Sequence, residues 1–203
     1  MSLLSELQRD ALIEIFNIGT GRAAASLSQI VDQEITLSVP HIQFVSTSEI
    51  NAKLLSLDSL SLSMVEQTFS GLFDIKATLL FTEDSTLKIV RDMMGSLLNL
   101  EELAEYEQEA LCELGNIILN ACMSATSGML DITLNSSLPT YSMGTSEEVV
   151  QLLSVGMSQP MMMVLHINLI IEKYPTQGSL IFVLSALSFQ KLLAHVDQFI
   201  AGI

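Results

Sequence analysis

The sequence predicts an α/β (α+β) domain made of two pseudo-symmetric halves. DALIEIFNIGTG, which begins at Asp10, matches EALCELGNIILN, which begins at Glu109, without a gap at an offset of 99 residues. Each copy is followed by apolar runs of strand length and then by a helix-like segment. The hydrophobic content of 49% supplies a core for 203 residues. We therefore expect one domain, residues 1–203, with repeats at about 5–95 and 104–200.

Each repeat opens on a long amphipathic helix. Its polar residues recur one turn apart on one face, as the pairs Asp10 and Glu109, Glu14 and Glu113, and Asn17 and Asn116, with Asn120 beside the second set. Apolar residues dominate the other side of both helices: Leu4, Leu7, Ala11, Leu12, Ile15 and Phe16 in the first, and Leu111, Leu114, Ile118 and Ala121 in the second. The pattern predicts that the acids and amides face solvent or a partner.

The match between the copies continues beyond the polar residues. It includes Ser28 with Ser127, Asp32 with Asp131, Ser38 with Ser137, and Pro40 with Pro139. We expect a strand after each helix that ends at the proline. The small residues of NIGTG and GRAAAS, which follow Asn17, favour close helix packing over a phosphate-binding loop.

A hairpin and a closing helix follow each motif helix. The expected segments are a hairpin over 64–82 and a helix over 84–95, and then a strand over 161–172, a turn over 173–178, a strand over 179–185 and a helix over 186–200. Candidate N-caps are Ser85 in the first half and Ser185 or Ser188 in the second. The segments 97–108 and 140–160 are expected to be irregular linkers.

Charge and hydropathy exclude several classes of partner. A net charge of −15 argues against nucleic-acid binding, which requires a basic surface. The chain does not open on a basic segment followed by an apolar one, and no uninterrupted apolar run reaches about 18 residues. The apolar run 161–171 is broken by His166 and Asn168 and is expected to be a buried strand. We expect a cytoplasmic protein without membrane insertion.

The cysteines and histidines form no metal-binding pattern. If Cys112 and Cys122 share one helix, their ten-residue separation spans about 15 Å, too far for a disulfide. We therefore expect reduced, buried thiols. His41, His166 and His195 lie outside the repeated motif. The motif is Glu-x-x-Asn, whereas di-iron bundles use Glu-x-x-His, so a carboxylate–metal enzyme is the weakest of the alternatives and no metal or cofactor is expected in this chain.

A polar helix face is ordinarily just a solvated surface. A solvated face requires no particular residue, however, and here both copies carry the same Glu and Asn. Asn is a neutral donor and acceptor that can orient a water but cannot act as a base. Glu can ligate a metal, exchange a proton or pair with a cation. The pattern therefore indicates a repeated functional surface.

These residues resemble the signature of the CheC-type phosphatases of bacterial chemotaxis, which are related to CheX and FliY. That signature is Asp or Ser, three residues, Glu, two residues, Asn, and then 22 residues and Pro. The first copy fits it fully with Asp10, Glu14, Asn17 and Pro40. The second copy fits with Glu113, Asn116 and Pro139 but has Glu109 where the family has Ser or Asp. The resemblance covers nearly the whole chain and implies a CheC-like fold with a shared sheet.

The resemblance implies that the substrate is phosphorylated CheY, a receiver-domain response regulator. In the family, Asn enters the receiver's pocket and positions a water for in-line attack on the aspartyl phosphate. Glu pairs with the receiver's lysine, and the receiver supplies its own Mg²⁺. By this resemblance Glu14, Asn17, Glu113 and Asn116 are the catalytic set. Both copies are expected to be active, with Glu109 as the one feature that weakens this expectation for the second.

A second hypothesis is a non-catalytic module that binds a receiver without hydrolysing its phosphate. A flagellar-switch or adaptor protein would act in this way. Some members of the family also bind the receptor deamidase CheD, which makes CheD a further candidate partner. Loss of turnover on substitution of Asn17 and Asn116 separates the phosphatase from the binding module.

Overall fold

A computed structural model describes residues 4–46, 61–94, 100–154, 160–171 and 174–202. In chain order its elements are α1 (Glu6–Val31), β1 (Ile35–Ser46), β2 (Leu62–Gly71), β3 (Ile75–Thr82), α2 (Glu83–Met94), α3 (Leu100–Met129), β4 (Leu134–Ser136), β5 (Thr140–Gly144), α4 (Ser146–Ser154), β6 (Met161–Ile171), β7 (Tyr174–Leu184) and α5 (Ala186–Ala201). The expected mixture of helices and strands is confirmed.

The strands form one antiparallel sheet that interleaves the two halves of the chain. Its order is β1-β6-β7-β3-β2-β4, and β5 also pairs with β2. Strand β1 pairs with the hairpin β6–β7, while β4 and β5 pair with the hairpin β2–β3. If each strand is replaced by its counterpart in the other half, the same strand order results, read from the opposite edge. The two halves therefore share one sheet. The exact limits of the two repeats stay a prediction.

Helices α1 and α3 cross on one face of the sheet at Gly19. A Cβ atom added at Gly19 would lie 2.6 Å from the Cα of Cys122, closer than a Cβ contact allows. The expected close packing after Asn17 is therefore confirmed at this residue. The ring of Phe16 lies 5.0 Å from the ring of Phe182 between α1 and the sheet. A smaller apolar cluster with Val149 of α4 covers the opposite face.

Matched residues also mark the ends of the two motif helices. Ser5 and Gln8 form a capping box at the start of α1. Asp32 caps the end of α1 in the left-handed region at φ 53°, and Asp131 follows α3 at φ 50°. Aspartate tolerates this conformation better than most residues. The two helices therefore end alike, at positions 99 residues apart.

The expected turn over 173–178 is wrong over 174–178, while residue 173 lies outside the described residues. Strand β7 begins at Tyr174, which pairs with Ile171 of β6, and the ladder then runs without interruption to Leu184. Pro175 is tolerated because this end of β7 extends past β3, so it has a paired neighbour on one side only. Pro175 here marks an edge segment of the strand instead of a turn, while Gly178 already pairs with β3 on one side and β6 on the other.

Other boundaries also differ from expectation. Strand β1 does not end at Pro40 but passes it through a bulge. Within the expected linkers, α3 already begins at Leu100, and residues 140–154 form β5 and α4, while 97–99 and 155–159 lie outside the described residues. Ser185 caps α5 as predicted, whereas α2 begins at Glu83, before Ser85, whose N–H donates to the Thr82 hydroxyl at 3.4 Å.

Candidate functional site

The first motif lies along the solvent face of α1. Asp10 and Glu14 are exposed, and Asn17, one turn beyond Glu14, is half-buried where the helix meets β1. Leu7 was expected to face the core, but it is 66% exposed on the same stripe. The apolar side of α1 is therefore narrower at its start than the helical wheel predicted.

Asn17 is held by the backbone of β1. Its Oδ1 accepts a hydrogen bond from the Val39 N–H at 3.1 Å. Val39 and Pro40 stand together opposite Ile167 of β6, which makes a one-residue bulge in the ladder. The bulge turns the Val39 N–H away from the strand partner, and Pro40 has no N–H to lose. The motif's fixed interval from Asn to Pro thus reflects a direct contact.

The second motif lies on the corresponding face of α3. Glu109 and Glu113 are exposed, and Asn116 is half-buried. The Oδ1 of Asn116 accepts from Asn120 Nδ2 at 2.7 Å and from Gln67 Nε2 at 3.5 Å. The predicted position of Asn120 beside the motif is confirmed, while Gln67 comes from a distant strand.

Gln67 is a buried polar residue that the sequence reasoning missed. Its Nε2 donates to the Ser137 carbonyl at 2.7 Å, and its Oε1 accepts from Asn120 Nδ2 at 3.3 Å. A signal was available, because Gln67 interrupts the core-facing alternation of Val65 and Phe69 in β2. Among apolar neighbours, a polar residue at such a position indicates a specific partner.

Pro139 also lies at a one-residue bulge. Residues 137–139 stand between β4 and β5, opposite only Gln67 and Thr68 of β2. Ser137 fastens this segment, since its N–H donates to the Thr68 carbonyl at 2.8 Å and its Oγ accepts from the Thr68 N–H at 3.0 Å. Leu138 is 86% exposed, whereas its counterpart Val39 is 1% exposed. A one-residue bulge therefore lies at both prolines, but the residue before the proline is buried at the first and exposed at the second.

Both motif asparagines have a fixed amide orientation. In each, the protein occupies Oδ1, and within the described part of the chain no hydrogen bond is made by Nδ2 of Asn17 or Asn116. An amide nitrogen carries two N–H donors. Each site therefore presents a donor group next to an exposed carboxylate.

A half-buried polar cluster supports the start of the second motif. The Tyr141 hydroxyl donates to Glu107 Oε1 at 2.6 Å, and the Ser63 hydroxyl donates to the same oxygen at 3.2 Å. Burial, together with the bond to Glu107, raises the pKa of Tyr141 well above its usual value. Tyr141 therefore stays protonated at neutral pH and ties β5 to α3 at Glu107, nearly two turns before Glu113.

The cysteines follow the prediction with one exception. Both are free and lie on α3, but only Cys122 is fully buried, while Cys112 is half-buried. Burial raises the pKa of the Cys122 thiol to about 12 and raises that of Cys112 as well. Thiols with raised pKa values are poor nucleophiles at neutral pH, so their contribution is to packing.

Two histidines face each other next to the first bulge. His41 is exposed and pairs across the ladder with His166, which is half-buried with its Nδ1 3.5 Å from the Ser179 hydroxyl. Burial, and then the nearby His41, lowers the pKa of His166. His195 is on α5, with its Nδ1 3.0 Å from the Lys191 carbonyl oxygen.

The described residues contain no cluster of three His, Cys, Asp or Glu side chains placed to hold a metal ion. In that same part of the chain, no helix has the length and apolarity needed to cross a membrane. The expectation that the protein uses no metal or cofactor of its own stays a prediction.

Comparisons with known proteins agree with these features. Residues 7–43, which span the first motif from α1 through Pro40, match the sequence model of the CheC-like family. The chain is 27% identical over 165 residues to the CheY-P phosphatase CheC of Bacillus subtilis (strain 168). The aligned region covers 75% of this chain and 77% of that protein.

Solved structures share the fold. FliY of Thermotoga maritima superposes with a TM-score of 0.76 at 22% identity, covering 97% of this chain and 99% of that one. A chain of the CheX-CheY-BeF3-Mg+2 complex of Borrelia burgdorferi is similar to this protein with a TM-score of 0.52 at 16% identity, and the match covers 85% of this chain and 97% of that one. The resemblance seen in the sequence is confirmed.

Proposed function

We propose that this protein, whose sequence and fold resemble those of the CheC-type chemotaxis proteins, hydrolyses the aspartyl phosphate of a CheY-type response regulator in the cytoplasm. The observation that carries the proposal is the repeated pairing of an exposed Glu with an Asn whose Oδ1 is already occupied. The likeness to a CheY-P phosphatase and to a CheX–CheY complex supports it.

In the proposed reaction, Asn17 or Asn116 orients the attacking water. The water oxygen bonds to phosphorus while the bond from phosphorus to the receiver's aspartate oxygen breaks, and the water proton leaves on inorganic phosphate. A neutral amide cannot accept that proton, but its two N–H groups can fix a water and a phosphoryl oxygen relative to each other. Phosphoryl transfer is catalysed mainly by such positioning and by charge stabilisation.

Glu14 and Glu113 hold the receiver in register in this proposal. Each is an exposed carboxylate one turn before its asparagine, well placed to meet a lysine at the mouth of the receiver's pocket. The Mg²⁺ that neutralises the phosphoryl group belongs to the receiver. CheD as an additional partner stays a prediction.

The test follows phosphate loss from a phosphorylated CheY-type receiver with Mg²⁺, with and without this protein. It compares Asn17→Ala, Asn116→Ala and the double variant. Asn135→Ala is the matched control, because Asn135 is an exposed asparagine on β4 outside both motif helices. We expect partial acceleration from each single variant, none from the double variant and full acceleration from the control.

Two other outcomes would indicate a different function for one or both sites. If only Asn17→Ala reduces turnover, the second copy is a docking surface without activity. If the unaltered protein binds the receiver but never accelerates phosphate loss, the phosphatase proposal fails and the binding-module hypothesis replaces it.

A further inference from the structure

We propose that Gln67 and Asn120 are positioning residues that hold the Asn116 amide in one orientation at the second site. This inference rests on the proposed function of Asn116. It concerns side chains that lie outside the repeated motif, one on a strand of the first half and one on the motif helix itself.

The hydrogen bonds around Asn116 leave one way for its amide to face the partner. Asn120 Nδ2 donates to Asn116 Oδ1 at 2.7 Å. Gln67 Nε2, whose short hydrogen bond is to the Ser137 carbonyl, makes a longer contact of 3.5 Å with the same oxygen. A rotated amide would set its N–H groups against the donors of both neighbours. Asn116 therefore presents Nδ2 outward, and it does so before any receiver arrives.

The fold does not require Gln67. At the first site, Ile167 of β6 stands opposite the bulge of β1 as Gln67 stands opposite the bulge between β4 and β5. Both side chains are 1% exposed, so an apolar residue fills the equivalent position without loss of the sheet. Burying an amide is unfavourable unless its polar atoms are bonded. The glutamine is thus explained by its polar partners, which are the Ser137 carbonyl together with Asn116 and Asn120, and not by packing.

The first site also lacks the other member of the network. Gly21 takes the place of Asn120, four residues after the motif asparagine, and a Cβ there would meet nothing within 4 Å. Asn17 instead receives the Val39 N–H directly. Each asparagine thus has one means of orientation, a backbone donor at the first site and two side-chain donors at the second.

Asn120 offers the cleaner substitution. It borders an open groove of about 260 Å³ whose wall includes Ser124, Ser127 and Ser136, so a shorter side chain there does not leave an empty core. Asn120→Ala is therefore expected to fold, while Gln67→Leu is a second variant that removes the buried donor at similar volume.

The experiment measures the second site alone by placing each variant in the Asn17→Ala background. We expect Asn120→Ala and Gln67→Leu each to lower kcat for receiver dephosphorylation about tenfold, the size of one neutral hydrogen bond, with KM unchanged. Ser124→Ala, one turn beyond Asn120 and exposed, is the matched control and should leave kcat unchanged. A rise in KM with kcat unchanged would overturn the positioning role.

A second measurement needs no catalytic activity. Side-chain amide NMR of the free protein should show an ordered NH2 pair for Asn116, and both variants should disorder that pair while Ser124→Ala does not. An unchanged pair in Asn120→Ala would overturn the inference. If the unaltered protein shows no phosphatase activity, the proposed function fails, and this signal alone decides whether Gln67 and Asn120 hold Asn116.

Discussion

The two motif sites share their Glu and Asn residues but differ in what holds the asparagine. At the first site a backbone N–H, that of Val39, fixes Asn17 through a bulge in β1. At the second site Gln67 and Asn120 fix Asn116 through side chains. The Glu and Asn of the motif are thus the same in both halves, whereas the groups that hydrogen-bond to each asparagine differ.

This difference bears on how each site tolerates substitution. A backbone donor survives almost any change of side chain, provided that the bulge persists. A side-chain donor is lost by a single substitution. We therefore expect the first site to be the more robust of the two and the second to depend on residues that the motif does not include.

The largest expected effect comes from the helix crossing that both sites share. Gly19→Leu would force a side chain against the backbone of Cys122, where even a Cβ would lie at 2.6 Å. We expect a loss of about 3 kcal/mol in the free energy of unfolding, measured by urea denaturation, because α1 and α3 must separate. Both sites should lose activity together.

Gly21→Leu is the matched control for that substitution. Gly21 is exposed on the same helix, two residues on, and has open space where a Cβ would be. We expect this variant to gain about 0.5–1 kcal/mol from helix propensity. Equal destabilisation by the two substitutions would contradict the crossing at Gly19.

A smaller effect separates backbone support from side-chain support at the first bulge. Val39→Ala removes a buried side chain but keeps the N–H that Asn17 uses. We expect stability to fall by about 2 kcal/mol while kcat in the Asn116→Ala background stays within about twofold. A large fall in kcat in fully folded protein would show that the Val39 side chain, and not its N–H, orients Asn17.

Leu138→Ala makes the corresponding change at the second bulge. Because Leu138 is 86% exposed, its removal should change the free energy of unfolding by less than about 0.5 kcal/mol. Urea denaturation of the two alanine variants side by side therefore measures how differently the chain packs at its two prolines.

The motif and its helical setting were predictable because they depend on local spacing. Residues three apart lie side by side on any α-helix, so Glu14 and Asn17 are neighbours, and the offset of 99 residues identifies the second copy. The hairpins followed from apolar runs. The reason for the interval to Pro40 was not predictable, because it depends on which strand bulges and on where its free N–H points.

The contacts of Gln67 were beyond sequence reasoning for a related physical reason. They depend on β2 of the first half pairing beside the motif helix of the second, an arrangement fixed by long-range strand order. The exposure of Leu7 escaped the helical wheel because a wheel describes a helix alone. It does not say where the neighbouring layer ends.

Acidification should affect the first bulge more than the second. His41 and His166 pair there, whereas Thr140 and Glu66 occupy the corresponding positions beside Pro139. Burial lowers the pKa of His166 below 6.5, so the unfolded chain binds a proton more readily than the folded one. Stability contributed by neutral His166 is therefore present above about pH 6.5 and is lost as the pH falls towards the lowered value.

Urea denaturation at pH 7.5 and 5.5 tests this expectation. The free energy of unfolding should fall less between these values in His166→Gln than in the unaltered protein. His195→Gln, a histidine on α5 away from the bulge, serves as the control and should leave the difference intact. If the free energy of unfolding falls by the same amount in all three proteins, His166 does not contribute to the pH dependence.

The smallest expected effect concerns the residue at which the second copy departs from the family signature. Glu109 and Asp10 are both exposed at the start of their motifs. An exposed carboxylate that differs by one methylene has room to turn away from an approaching receiver, so Glu109→Asp in the Asn17→Ala background should change kcat/KM less than about twofold. Asp10→Glu in the Asn116→Ala background is the reciprocal variant. A severalfold gain from Glu109→Asp, matched by a loss from Asp10→Glu, would mean that the length of this side chain limits the second site more than the network around Asn116 does.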